Sequence, residues 1–412
     1  MKRSLLDLAI AALIALIFAA PAAAASRPKV RAITAFIHLD RENYREQVAE
    51  ALQMLRQMKA EIEKAGYKVE SVRITTQPFP EYTHGLSRQQ ALDFFRDYDA
   101  LAIKEGFDPN IGPAMMNDSD DPTQAELLAE VLSMTKTLES SIIVAGEDGV
   151  HWKAIRCTAR LVKYVEAHSL HSQGNFNFTA TAMLAPYAPF FPGSYHTGAG
   201  HGFAIGMESA NVVAEVFSRA AGDALRAQRE LTAALSEHSV AIEKIAQRVA
   251  KETGWRYMGF DPTPAPLKDV SIGGAIENFT GAKLGSPGTL TAVSIITAAV
   301  RDVPVQQIGY RGLMLPVLED SVIAERWSEG RVNADSLLSY SSVCGTGMDT
   351  IPLPGDVSEE QLARMIGDVA SLAFKWHKPL SARLQPVAGK RAGEKTEFDD
   401  PFLVNATLQP VP

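Results

Sequence analysis

Apolar positions along this chain follow two spacings. Lys29–Asp40, KVRAITAFIHLD, is rich in β-branched residues and reads as a first strand. In Arg41–Ala65 the residues Val48, Leu52, Leu55, Met58 and Ile62 recur every three or four positions, which predicts an amphipathic helix stopped by Gly66. Tyr67–Thr76 returns to a strand pattern. Gln77–Thr83 reads as a proline-containing loop and Ser87–Arg96 as a second helix. This strand–helix–strand order predicts an α/β layout.

The pattern continues to the C-terminus. Asp99–Ile111 fits either class, with ALAIKEGF as a short strand. Pro122 near the start of Thr123–Leu138 suits a first helical turn. Ser140–Gly149 reads as a buried strand, Val150–Glu166 as a helix and Phe176–Leu184 as a strand, followed by a long Gly-, Pro- and aromatic-rich loop over Ala185–Gly206. A helix from Ser209 to about Ala221 and a longer one over Gln228–Thr253 come next, with MGFDPTPAP (Met258–Pro266) as a loop. Leu267–Thr280, Gly285–Val300, Glu319–Glu329, Ala334–Leu338 and Ser358–Ala373 read as helices. Val305–Leu315, Leu380–Val387 and Phe402–Leu408 read as strands, and Gly389–Asp400 as a hydrophilic loop. No internal repeat or interdomain linker stands out.

Composition alters this picture mainly at the N-terminus. Lys2 and Arg3 precede the apolar run Leu8–Ala20, and Pro21–Ala25 supplies small residues for cleavage near Ala25, the three-part layout of a secretory signal peptide. The apolar run is shorter than the roughly 20 residues a spanning helix needs. The expectation is a signal peptide over 1–25, a single domain over 26–412, a periplasmic or secreted location and no stable membrane insertion. The net charge of −8 becomes −9 once Lys2, Arg3 and Asp7 leave, and a mildly acidic body argues against nucleic-acid partners. Two cysteines, Cys157 and Cys344, do not make a disulfide framework.

Candidate chemistry gathers in the last two thirds. Tyr340–Pro354, YSSVCGTGMDTIPLP, sets Cys344 among serines and glycines and suits a tight loop. Its thiol could serve as nucleophile, metal ligand or hydrogen-atom relay, or simply pack in a turn. In GSYHTGAGHGF, His196 and His201 with Tyr195 make a polar, glycine-rich rim, and either imidazole could act as a general base. Glu319, Asp320 and Asp349 end apolar runs, where carboxylates serve acid–base work, metal binding or helix capping. Gly285, Ser286, Gly288 and Thr289 open a helix whose free N–H groups could hold an anion. Zinc spacing, a serine-hydrolase elbow and a dinucleotide fingerprint are all lacking.

Several of these segments together resemble the uncharacterised DUF711 (UPF0210) family. Ser194-Tyr195-His196 lies in the glycine-rich loop, and Pro262-Thr263-Pro264-Ala265 is similar to the family's APTPA turn. Gly285-Ser286-Pro287-Gly288-Thr289 resembles its GTHGT segment and Pro316–Asp320 its PVSED, while Val343–Pro354 resembles its ICSVGLDM…IP loop. The resemblance implies an α/β fold of the ten-stranded barrel type of pyruvate formate-lyase, with an inserted hairpin bearing Cys344 at its tip. Four departures stand out: Glu139 replaces a cysteine before Ser140-Ser141, Pro287 replaces the histidine of GTHGT, Leu318 replaces the serine of PVSED, and the signal peptide is extra. The glycines after Gly355 (Gly367, Gly389 and Gly393) lack the setting of a glycyl radical, which argues against radical chemistry.

The resulting expectation is an exported protein of unspecified reaction acting on a small polar or carboxylated molecule. Cys344 would be nucleophile or ligand, His196 the base, and Asp349 or Glu319 the orienting carboxylate. His201, Tyr195, Gly285, Ser286, Gly288 and Thr289 would contact the substrate. A non-catalytic periplasmic binding protein is the alternative, favoured by the changes at Pro287 and Leu318. No cofactor or metal is specified, and an oligomer is compatible with everything read.

Overall fold

Two five-stranded mixed sheets organise residues 27–411, the part of the chain that the computed structural model describes. The N-terminal segment read as a signal peptide lies outside these residues. In chain order the elements begin with β1 (Lys29–Ile37), α1 (Tyr44–Lys64), β2 (Val69–Thr75), α2 (Phe79–Thr83), α3 (Arg88–Glu105), β3 (Asp108–Asn110) and α4 (Thr123–Met134). They continue with β4 (Ser140–Gly146), β5 (Gly149–Val150), α5 (Trp152–His168), a 3-10 segment over Leu170–Asn177, β6 (Phe178–Ala182), β7 (His201–Glu208), α6 (Ala210–Ala220) and α7 (Ala224–Thr253). The last third holds β8 (Arg256–Asp261), α8 (Ile272–Thr280), α9 (Thr289–Arg301), α10 (Ser321–Ser328), α11 (Ala334–Ser341), β9 (Gly347–Pro354), α12 (Glu359–Trp376) and β10 (Leu380–Val387).

The first sheet runs β3-β2-β1-β7-β8 and the second β5-β4-β6-β10-β9. β1 lies parallel to β2 and antiparallel to β7, and β10 lies parallel to β9 and antiparallel to β6. The sheets meet edge to edge where Ile111 N donates to Glu139 O (3.0 Å) and Glu139 N to Pro109 O (2.9 Å). On the other side, Gln306–Ile308 runs beside β8, with Phe260 N donating to Gln306 O at 2.8 Å. The same run continues to β9, where Val317 N donates to Asp349 O at 3.0 Å.

Helices cover the outer faces, and one contiguous apolar core joins them to the sheets. β1, β9 and β10 are therefore buried on both faces, and their patterns are continuous rather than alternating. That explains most differences from the sequence reading. β7, HGFAIGME, looked like loop because of its glycines. A Cβ at Gly206 would sit 2.9 Å from the Phe190 ring, so a strand passing that close needs glycine there. β8 lay hidden within a proline-rich stretch. ALAIKEGF is mostly the last part of α3, ended by Gly106 in the left-handed conformation, and the strand that follows is short. Val305–Leu315 makes only a bridge at Gln307, and Phe402–Leu408 only one at Thr407.

The expected loop over Tyr340–Pro354 is divided between elements. Its start ends α11, its middle is a turn, and Asp349 to Pro354 belong to β9. Pro352 and Pro354 are tolerated because β9 is the last strand of its sheet, so a missing N–H costs no ladder bond on the open side. Both cysteines are free and buried.

Candidate functional site

Arginines planted in apolar strands build the site. Arg31 interrupts β1, Arg73 interrupts β2 and Arg383 interrupts β10, and all three line a cavity of about 210 Å³ between the sheets. A cation in a fully buried strand is costly unless it is paired. Arg31 donates from Nη1 to Glu208 (3.0 Å) and from Nη2 to Glu319 (3.3 Å). Arg383 donates from Nη1 to the other Glu319 oxygen at 3.0 Å and lies 3.6 Å from Asp349. Its Nε binds the Phe176 carbonyl at 2.9 Å and its guanidinium lies over the Phe176 ring at 4.1 Å. Glu319 is thus clamped between two arginines.

Arg73 is committed differently. It lies over the Phe191 ring at 4.7 Å, its Nε donates to Ser71 Oγ at 2.9 Å, and Asp108 stands 3.6 Å away. Among the described residues no group accepts a hydrogen bond from its terminal amino groups, in a cavity it helps to line. Burial pulls its pKa down, with the Asp108 and Glu139 carboxylates acting against that.

Two carboxyls of the cavity are tuned apart. Glu139 stands at the seam between the sheets. Burial pushes it up to about 8 despite the opposing pull of Arg73 and Arg383. Its surface is only half-buried because the cavity itself exposes it, while the surrounding protein displaces bulk water. Burial also raises Asp349, to about 6, with Arg383 pulling down and Glu319 pushing up. At neutral pH Glu139 therefore carries a proton and Asp349 is mostly ionised, a division that suits one acid and one base.

A backbone irregularity sets the position of Asp349. Met348 pairs with Ala382 and Ile351 with Leu384, so Asp349 and Thr350 together face Arg383 alone. This is a β-bulge, a device that re-aims a side chain. Thr350 has a φ of +49°, unusual for a β-branched residue, and its Oγ1 accepts from Leu318 N at 3.0 Å. Backbone held in such a conformation concentrates at functional sites.

The cavity also receives the run between β8 and β9, from which Tyr310, Met314 and Pro316 line it. Asp261 pins this run. Fully buried, it accepts from Tyr310 N (2.7 Å), Arg311 N (3.3 Å) and Thr263 N (3.1 Å). Gly312 then crosses Gly345, where a Cβ on Gly312 would lie 2.4 Å from the Gly345 Cα. The cavity is thus lined by Gly309–Pro316, and Cys344 lies in the turn packed behind that run.

Of the residues singled out from sequence, Glu319 and Asp349 come together in this cavity. Cys344 is 1% exposed within the main apolar core, and its carbonyl accepts from Lys378 Nζ. His196 is buried with its Nε2 on Gly200 O (3.1 Å), and burial lowers its pKa to about 4. His201 is exposed, beginning β7 with its ring 4.3 Å from that of Trp255. Tyr195 donates to Leu184 O at 3.1 Å, and burial raises its pKa to about 12. Gly285 N donates to Thr289 Oγ1 (3.1 Å), Ser286 N to Lys283 O (3.0 Å), and Gly288 caps α9. None of these eight lines the cavity. Asp320, also considered, caps α10 and α8 through four backbone N–H groups. No group of three or more His, Cys, Asp or Glu placed to hold a metal occurs among the described residues.

Sequence reasoning passed over the three arginines and met Glu139 only as a departure from the family pattern. The signal was present in VRA, VRI and ARL, each a lone arginine inside an apolar strand pattern.

Comparisons with known proteins agree with the motifs. The family model described as "Uncharacterised ACR (DUF711)" matches residues 24–399. A UPF0210 protein of Pyrobaculum islandicum is 29% identical over 367 residues, covering 83% of this chain and 79% of its own. One from Pyrobaculum arsenaticum is 30% identical over 350 residues, covering 80% and 76%. One from Desulforudis audaxviator is 27% identical over 359 residues, covering 82% and 78%. Among solved structures, an anaerobic ribonucleotide reductase from Thermotoga maritima in complex with dATP and CTP is similar at a TM-score of 0.40. It shares 7% identity, over 91% of this chain and 79% of that one. With the match spanning nearly the whole chain, this protein belongs to the DUF711 (UPF0210) family.

Proposed function

We propose that this protein is an enzyme that holds a small carboxylated molecule in the arginine-lined cavity and moves a proton on it. The observation that carries the reading is the pairing of Arg73, whose terminal amino groups lack a partner among the described residues, with Glu139, protonated at neutral pH, in one cavity. Arg73 would take the substrate carboxylate through a two-pronged contact. Glu139 would supply the proton and Asp349 accept one, each near the pH where such transfers are efficient. Glu319 would hold Arg31 and Arg383 in place. Cys344 and His196 have no part in this chemistry.

The reading includes export, on the layout of residues 1–25, and a single domain over 26–412. It also takes the main strands and the Gln306–Ile308 run as a ten-stranded barrel of the pyruvate formate-lyase-like type, with Gly309–Pro316 as the inserted segment. The hydrogen bonds at Glu139, Gln306 and Asp349 support that closure.

The test is NMR of a panel of small mono- and dicarboxylates with the protein in D₂O, following both binding and solvent-deuterium uptake next to the carboxylate. Wild type should bind at least one member and exchange it. Arg73→Gln should weaken binding tenfold or more. Glu139→Gln should keep binding and slow exchange by roughly 10²–10⁴-fold, the range for a lost general acid–base group. Binding without exchange in wild type would leave a non-catalytic binding protein. No binding to any member would remove the reading.

A further inference from the structure

We infer that a second small-molecule site, for a phosphorylated or similarly polyanionic metabolite, occupies the cleft that shares Tyr310 with the central cavity. This cleft, 760 Å³ in volume, lies where the end of α9, the Gly309–Pro316 run and the end of α12 converge. Its size falls within the ~300–1,000 Å³ of ordinary ligand sites. Arg301, Arg311 and Lys378 line it with His377, and Asp302 is the one carboxylate among the lining residues.

No carboxylate pairs with any of these three cations among the described residues. Lys378 is 7% exposed and donates only to the backbone carbonyls of Ser341 (2.6 Å) and Cys344. Burial lowers the Lys378 pKa, with Cys344 acting the other way and like-charge repulsion from Arg301 adding to the lowering. In a chain of net charge −8, cations elsewhere are commonly matched with carboxylates, as at Arg326, which meets Glu277, Glu325 and Glu329. A cleft that gathers three unmatched cations, one of them buried, concentrates positive potential and would be relieved by a multivalent anion. Thr297, 4% exposed in the same wall, carries a buried Oγ1 with no hydrogen-bond partner. Trp376 is 60% exposed on the rim and gives the site an optical reporter.

Tyr310 lines both cavities, so the two sites adjoin at this residue. The proposal does not depend on the central cavity being catalytic.

The experiment is a titration of the full protein with inorganic phosphate and with pyrophosphate, read by tryptophan fluorescence and calorimetry, against sodium chloride at matched ionic strength. Pyrophosphate should bind saturably and more tightly than phosphate. Arg301→Gln combined with Arg311→Gln, both at exposed positions, should weaken pyrophosphate at least tenfold while unfolding at the wild-type temperature. Arg73→Gln should leave pyrophosphate binding unchanged, and Trp376→Phe should remove the fluorescence signal but not the heat. The inference is overturned if chloride reproduces the effect, if no saturation occurs, if the double variant binds like wild type, or if Arg73→Gln is the variant that loses binding.

Discussion

At the scale of single residues, protonation is the property that sets this cavity apart. A carboxyl whose folded pKa is raised binds protons more tightly in the native state than in the unfolded chain. Its stabilising effect is complete below the unfolded pKa and disappears as pH rises through the folded value. For Glu139 that window runs from the ordinary carboxyl range near 4.5 up to about 8, and for Asp349 from near 3.8 to about 6. His196 acts in the opposite sense at lower pH, because its pKa is lowered to about 4 and charging it opposes folding. Between about pH 6.5 and 8.5, Glu139 therefore dominates among these three. Unfolding free energy from urea titrations should fall across that interval by roughly 2 kcal/mol in wild type, at about 1.4 kcal/mol per pH unit. In Glu139→Gln the curve should be nearly flat. A wild-type curve already flat there would mean that Glu139 titrates as an ordinary exposed carboxyl.

Cys344 illustrates the opposite case at the same scale. A thiol 1% exposed in apolar packing is a poor nucleophile, since the packing keeps any reacting partner away from its sulfur. Cys344→Ser should leave ligand binding in the central cavity intact, and a colourless-to-yellow thiol reagent should label Cys344 only after denaturation. Rapid labelling of the native protein at Cys344 would restore the thiol to consideration. The sequence reading set this cysteine at the tip of an inserted hairpin. It could not show that Gly345 packs on Gly312 and so turns the neighbouring side chain into the core.

At the scale of elements, two junctions hold the site. The first is the β9–β10 bulge with Arg383, which ties Asp349, Glu319 and the Phe176 carbonyl together. Arg383→Met removes one partner from a buried ion cluster: Asp349 loses its arginine, and Glu319 keeps only Arg31. A loss of about 3–5 kcal/mol in unfolding free energy is expected, since breaking one side of a buried pair leaves an uncompensated charge. Combining it with Glu319→Gln should recover part of that loss, and an additive double variant would contradict the clamp. The second junction is the crossing of Gly312 and Gly345. Gly312→Ala puts a methyl 2.4 Å from the Gly345 Cα and should cost about 1–3 kcal/mol or more by overpacking. Gly330→Ala is the contrast: its φ of +73° strains an alanine but nothing lies within 4 Å, so its cost is conformational alone, whereas that of Gly312→Ala is steric.

Legibility differed by element for physical reasons. Helices such as α1 and α12 were readable because one face is wet, so the 3.6-residue period survives in the sequence. β7 is buried along nearly its whole length and β8 over its second half, so neither carried an alternation, and the glycines and prolines around them looked like loop. The site followed the same rule. Glu319 and Asp349 were visible as carboxylates at the ends of apolar runs. Arg31, Arg73 and Arg383 were passed over because a single arginine in a strand normally marks a solvent face, whereas here Arg31 and Arg383 are buried and Arg73 is only partly exposed.

At the scale of the whole molecule, the ordered family motifs and the apolar periodicities were enough to determine an α/β chain of the DUF711 family, its helical shell, and two of its cavity carboxylates. These are properties of local spacing and local chemistry, which the linear order preserves. The partners of those carboxylates were decided only by the tertiary structure. Arg31 reaches Glu319 across 288 positions of chain, and Arg383 reaches it across 64. The raised pKa of Glu139 likewise follows from burial at the seam between sheets, a quantity no neighbouring residue encodes. Depth, charge pairing and the direction in which Cys344 points are set by which strands lie side by side, and that is fixed by packing of the entire chain.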